Sequence, residues 1–69
     1  MEMQFVDSSA IERIGYDPNS STLRIEFKNN RTYDYSNVPE NIFNELKHAP
    51  SIGGYHATNI KNSFSYTEI

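Results

Sequence analysis

An α+β fold, a small antiparallel β-meander of three to four strands packed against one or two C-terminal helices, is what three features of the sequence predict. Leu23, Ile25 and Phe27 alternate with Thr22, Arg24, Glu26 and Lys28, the period of two of a strand with one dry face. Tyr33 and Tyr35 repeat that spacing beyond the polar break at Asn29-Asn30, so the two runs read as a hairpin. Val38-Pro39 then ends the extended region, because a residue before proline is pushed out of the helical region while proline suits a helix start.

Taken from the N-terminus, residues 1–8 read as a lead-in and residues 9–69 as one domain. Ala10, Ile11, Ile14 and Tyr16 form a mixed pattern that fits a strand with an irregularity better than a helix stopped so early by Gly15. Asp17-Pro18-Asn19-Ser20 supplies turn chemistry, with proline pre-setting φ and Asp or Asn able to bond the backbone. Asn29-Asn30 offers residues that tolerate positive φ at the next tight turn. After Pro39, Ile42, Phe43, Leu46 and Ala49 recur at helical intervals, with Glu40 in the first turn and Lys47 and His48 in the last, as the helix dipole prefers.

Pro50 stops that helix. Ser51 can cap a second helical segment in which Ile52, Tyr55, Asn59 and Ile60 lie near one face, with Gly53 and Gly54 together costing it about 2 kcal/mol relative to Ala. Ser63 to Thr67 alternates again and reads as a final short strand or an ordered tail. The paired rings of Tyr33 and Tyr35 are expected inside, beneath the proline-led helix, since a sheet this small must spend its aromatics on its core.

Composition narrows the function classes. At 69 residues the chain is near the lower limit for a single core without staples, so self-association into a homo-oligomer is open. The absence of cysteine removes disulfides, thiolate ligands and thiol nucleophiles, and suits a reducing compartment, with cytoplasm the expectation. The N-terminus carries no signal-peptide pattern, and no run approaches the roughly 18 apolar residues of a membrane span. A net charge of −3, with six bases scattered singly, argues against broad attraction to polyanions.

No catalytic constellation, metal motif or phosphate loop stands out. His48 and His56 lie in different predicted segments without an acid at ligand spacing, so neither a zinc site nor an acid–base pair is predicted; they and Tyr16 are the residues an enzyme would have to use. Ser51-Ile52-Gly53-Gly54 lacks the lysine of a P-loop, and close packing is the simpler account of its glycines. Ser8-Ser9 reads as a local cap, and Arg24, Glu26 and Lys28 facing Asp34 read as solvated cross-strand pairing. Tyr33 and Tyr35 could instead stack bases, and Arg31 falls on their face of the strand.

Ser8-Ser9, Ile14-Gly15-Tyr16-Asp17, Leu23-Arg24-Ile25-Glu26-Phe27, Tyr33-Asp34-Tyr35-Ser36-Asn37-Val38-Pro39 and Ala49-Pro50-Ser51-Ile52-Gly53-Gly54-Tyr55 together resemble the KTSC domain family over about residues 6–66. That family takes its name from a segment at the C-terminus of some lysyl-tRNA synthetases and also occurs as free-standing bacterial and phage proteins. The resemblance implies no catalytic residues and no cofactor, and suggests RNA binding through the attachment to a synthetase. The chain departs from the family pattern at Asn29-Asn30, where a glycine-containing turn is common.

The reading is therefore a non-catalytic binding module with RNA as one target, for which Arg31, Tyr33, Tyr35 and Lys61 are the candidate binding residues. The alternative is a protein-interaction or ligand-sequestering accessory protein, such as a phage inhibitor of a host enzyme or defence complex, since an acidic domain suits a basic protein partner.

Overall fold

The computed structural model describes residues 1–69. Five antiparallel strands lie side by side in chain order: β1 (Met3–Phe5), β2 (Ile11–Asp17), β3 (Thr22–Phe27), β4 (Thr32–Tyr35) and β5 (Tyr66–Glu68). Between β4 and β5 the chain runs through α1 (Glu40–Lys47), α2 (Ile52–Tyr55) and a π-helical turn, His56–Ile60. The α+β meander stands, with five strands where three to four were expected. The added strand is β1: Met3, Gln4 and Phe5 pair with Gly15, Ile14 and Arg13, so part of the expected lead-in is an edge strand. Three residues without alternation carry no periodic signal, which is why β1 is illegible in the sequence.

A β-bulge explains the mixed pattern of β2. Ile11 lies opposite Phe27 and Arg13 opposite Glu26, so two steps along β2 match one along β3. The extra residue reverses the parity of the strand, which lets Ile11 and Ile14 both be fully buried although they are an odd number apart. From there the pairing is regular, with Ile14 opposite Ile25 and Tyr16 opposite Leu23, and then Leu23 opposite Tyr35 and Ile25 opposite Tyr33.

Both hairpin turns use the chemistry their residues offer. Asp17 accepts hydrogen bonds from the Asn19 amide (3.0 Å) and the Ser20 hydroxyl (3.1 Å). At the second turn Asn30 has φ 69°, in the left-handed region that Asn tolerates, and the Asn29 side chain accepts from the Arg31 amide at 3.1 Å.

The core lies between one face of the sheet and the helical layer. Ile11, Ile14, Leu23, Ile25 and Tyr35 come from the sheet and Val38, Leu46, Ile52 and Ile60 from the chain above it. Pro39 stands just outside α1 as its N-cap, with φ −64° and ψ 148°. Ile42 and Phe43 pack against the core around the buried Leu46, as their spacing predicts. Ser51 caps α2 by accepting from the Gly54 amide at 3.1 Å. The opposite face of the sheet is polar: Arg13 holds Glu26 at 2.8 and 2.6 Å, and Arg24 holds Asp34 at 2.7 and 2.9 Å. Both are bidentate forks between residues directly opposite on neighbouring strands.

Two expectations for the helical layer are corrected. The inward positions after Ser51 are Ile52, His56 and Ile60, and Asn59 is exposed. The π-turn, closed by the Lys61 amide donating to the His56 carbonyl at 2.9 Å, takes in one more residue than an α-turn and so resets the face. The aromatic beneath the proline-led helix is Tyr16, not the Tyr33 and Tyr35 pair: its ring stacks on Phe43 with centroids 5.4 Å apart, and its hydroxyl donates to the Val38 carbonyl at 2.5 Å. Tyr35 instead meets the π-turn and β5.

Candidate binding site

Tyr35, fourth in β4 and on its inward face, is 1 % exposed. A buried phenol needs a partner for its hydroxyl. His56 supplies it from the first position of the π-turn, with Nε2 2.7 Å from the Tyr35 oxygen. Tyr35 donates when the ring proton is on Nδ1 and accepts when it is on Nε2. Burial, with the Tyr33 and Tyr66 hydroxyls adding to it, pushes the Tyr35 phenol up to about 12. Burial also lowers His56 below its ordinary value, and the Lys61 ammonium adds to the effect. Both groups are thus neutral around pH 7, and the Tyr35 hydroxyl and His56 Nε2 are taken up by one another.

Around this pair the aromatic rings close a circuit. Phe27 meets Tyr33 at 5.4 Å between centroids, Tyr33 meets Tyr66 at 5.0 Å, and Tyr66 meets Tyr35 at 5.6 Å. Tyr35 meets His56 at 5.6 Å, and His56 returns to Phe27 at 5.3 Å. Register makes the circuit: Tyr66 lies directly opposite Tyr35 across β4 and β5, and Tyr33 and Tyr35 are two apart on β4. Tyr35 is sealed and Tyr33 half-buried, whereas Tyr66 is 54 % exposed and presents the open ring.

The circuit borders an open depression of about 480 Å³. Arg31 reaches it from the start of β4 and Lys61 from the end of the π-turn, while Asn29 and Asn62 bring side-chain amides. The four candidate binding residues Arg31, Tyr33, Tyr35 and Lys61, separated by as many as 30 positions in the chain, thus line one cavity. Arg31 is exposed and pairs loosely with Glu68 at 3.4 Å. Its contact with Tyr33 and the nearby Glu68 carboxylate both hold the guanidinium pKa above its ordinary value.

Tyr66, His56 and the Asn62 amide were not singled out as binding residues from the sequence. Tyr66 carried a weak signal in its alternation with Phe64; that it faces Tyr35 is a property of long-range pairing.

The other residues considered have structural duties. His48 ends α1, with Nδ1 2.8 Å from the Asn44 carbonyl, and stands on a different element from His56. Ser8 accepts from the Ala10 and Ile11 amides, both at 3.2 Å, in the turn before β2. A second recess, of about 400 Å³, has Phe27 as its one apolar residue and two carboxylates, Glu12 and Glu26, beside Lys28.

The KTSC domain family model matches residues 7–64 of the chain. The chain belongs to the KTSC domain family. The crystal structure of the KTSC domain protein YPO2434 from Yersinia pestis superimposes with a TM-score of 0.96 at 38 % identity, covering 99 % of this chain and 96 % of that one. A protein of Tsukamurella paurometabola is 45 % identical over 53 residues, 77 % of this chain and 79 % of its own length. A lysine--tRNA ligase of Nostoc sp. is 36 % identical over 63 residues, 91 % of this chain and 11 % of the ligase. The KTSC domain thus occurs both as a small part of a long ligase and as most of a short protein. No helix of this KTSC domain is long and apolar enough to cross a membrane.

Proposed function

We propose that this KTSC domain is a non-catalytic, cytoplasmic module that binds single-stranded RNA in the depression between β4, β5 and the π-turn. The observation that carries the reading is the convergence of a partly open aromatic circuit with two cations, Arg31 and Lys61, in one cavity. Aromatic faces stack unpaired bases, and basic side chains hold the phosphates between them. The net charge of −3 describes the whole surface, but two of the six cations are already committed to the bidentate pairs on the opposite face. Arg31 and Lys61 are the two that line the cavity. Relatives that are lysine--tRNA ligases support the same reading.

Fluorescence anisotropy with a labelled single-stranded 12-mer, against the same sequence as a duplex, tests it. Preference for the single strand, weakened in the R31A/K61A double variant, is expected. No anisotropy change up to about 10⁻⁴ M protein, the weak end of ordinary non-specific binding, would count against RNA as the target.

A second reading, docking of a basic protein partner, rests on Phe5, which is 73 % exposed on the edge strand β1. An edge strand offers unpaired backbone groups for strand addition. Retention of the partner by wild type and its loss with Phe5→Ser, without dependence on Arg31, would favour it.

A further inference from the structure

We propose that the depression is a one-nucleotide site: one unpaired base lies on the Tyr66 and Tyr33 rings while its phosphate is held by Arg31 and Lys61. This rests on the RNA reading above and adds a capacity to it. Volume sets the first condition, which about 480 Å³ of open space meets for one nucleotide. Charge sets the second. Of the six cations, Arg13 and Arg24 are locked to Glu26 and Asp34, and Lys47 lies over the Phe43 ring at 5.1 Å. Lys28 lines the neighbouring recess with two carboxylates, which leaves Arg31 and Lys61 facing the aromatic circuit. Two cations neutralise at most two phosphates, so no track for an extended strand exists. The unit recognised is a terminal or splayed-out nucleotide.

The floor also limits what is read. The Tyr35 hydroxyl and His56 Nε2 are spent on each other at 2.7 Å, leaving the Asn29 and Asn62 amides and the Tyr33 and Tyr66 hydroxyls among the neutral polar groups at the cavity. Stacking is tolerant of base identity, so differences among the four bases are expected to be only a few-fold. Glu68 competes with the phosphate for Arg31, and Glu68→Gln is expected to tighten binding by freeing the guanidinium.

The test titrates the folded protein with the four nucleoside 5′-monophosphates, with inorganic phosphate, and with single-stranded RNA of 3 and 12 nucleotides, followed by amide NMR shifts and competition. Expected are monophosphate-induced shifts around Arg31, Tyr33, His56, Lys61 and Tyr66, and displacement of the 12-mer by a monophosphate. The 12-mer affinity should fall with log salt at a slope no steeper than about −1.4, the single-strand value for two phosphates. Tyr66→Ala, at a largely exposed position, should weaken binding by about 5- to 160-fold, in line with the loss of one stacked base. A 12-mer that binds with a steep salt slope and is not displaced by any monophosphate overturns the one-nucleotide site while leaving RNA binding intact. Shifts reproduced in full by inorganic phosphate, with Tyr66→Ala binding as wild type, overturn the stacked base. Failure of every RNA and monophosphate to bind overturns this inference together with the RNA reading.

Discussion

Replacing Tyr35 by Phe removes one oxygen and nothing else from the floor of the depression, and its effect can be worked from the structure. The ring keeps its place against Leu23, its neighbour directly across β3, and against Tyr66 and His56. His56 Nε2, 2.7 Å from the lost hydroxyl, is left facing the Phe27 ring and the new phenyl ring, neither of which offers it a hydrogen bond. An unsatisfied buried polar group costs about 1–3 kcal/mol, whereas replacing both partners by apolar groups of similar shape is nearly neutral. Tyr35→Phe and His56→Phe should therefore each destabilise by about 1–3 kcal/mol, and the double variant by clearly less than their sum. At about 4–8 °C per kcal/mol for a domain of this size, each single variant lowers Tm by roughly 4–24 °C. Urea unfolding at pH 8, followed by circular dichroism, measures all four corners of the cycle. Additivity within about 0.5 kcal/mol, the scatter of independent sites, would show that hydroxyl and imidazole do not satisfy each other and would refute the account of a neutral, closed floor.

Stability should depend on pH at both ends. The native state keeps His56 neutral below the ordinary value of 6.5 at which the unfolded chain takes up a proton, so its contribution is complete above pH 6.5 and is lost as pH falls through the lowered native value. Tyr35 acts in the opposite sense: its contribution, on the order of 2–3 kcal/mol, is complete below pH 10 and is lost as pH rises towards about 12. Urea midpoints across pH check both arms, and a midpoint that rises between pH 7 and pH 5.5 contradicts the first. Gly15→Ala places a methyl against the Met3 sulfur and 2.9 Å from the Glu2 carbonyl oxygen, a backbone atom that cannot yield unless β1 shifts. A loss of about 1–3 kcal/mol is expected, with faster hydrogen exchange confined to the β1–β2 pairing; unchanged exchange there would show that β1 accommodates the methyl. Arg24→Met breaks the fork to Asp34 on the half-exposed face, and a change under about 1 kcal/mol is expected by urea unfolding.

The hairpin and the proline boundary were legible because each rests on local chemistry. Alternation from Thr22 to Lys28 sets the inward face of β3, Asn30 tolerates its positive φ, and Pro39 cannot continue a strand. The helix after Pro39 was legible from the spacing of Ile42, Phe43 and Leu46. What escaped depends on partners far away in the chain. β1 exists because Gly15, lacking a side chain, lets Glu2 and Met3 come close, and nothing in Met3-Gln4-Phe5 signals that. The exchange of Tyr16 for the Tyr33 and Tyr35 pair beneath α1 follows from the sideways position of α1 over β2, which periodicity does not encode. The same holds for the site. Arg31, Tyr33 and Tyr35 share one strand face, which alternation shows, but the convergence of His56, Lys61 and Tyr66 on that face depends on the register of β5 and the phase of the π-turn.

That phase makes the floor sensitive to length. Four residues of α-helix overshoot a full turn by about 40°, and the wider π-turn undershoots, so the two errors cancel and keep Ile52, His56 and Ile60 stacked inward. Deleting a single residue between Ala57 and Asn59 would restore α-helical pitch and oblige either Ile60 or His56 to swing away from the sheet. Since Ile60 is fully buried, anchoring it would rotate the imidazole out, exchanging a polar floor for an open slot. A one-codon change in the turn beside the cavity would thereby rewrite what the cavity can hold.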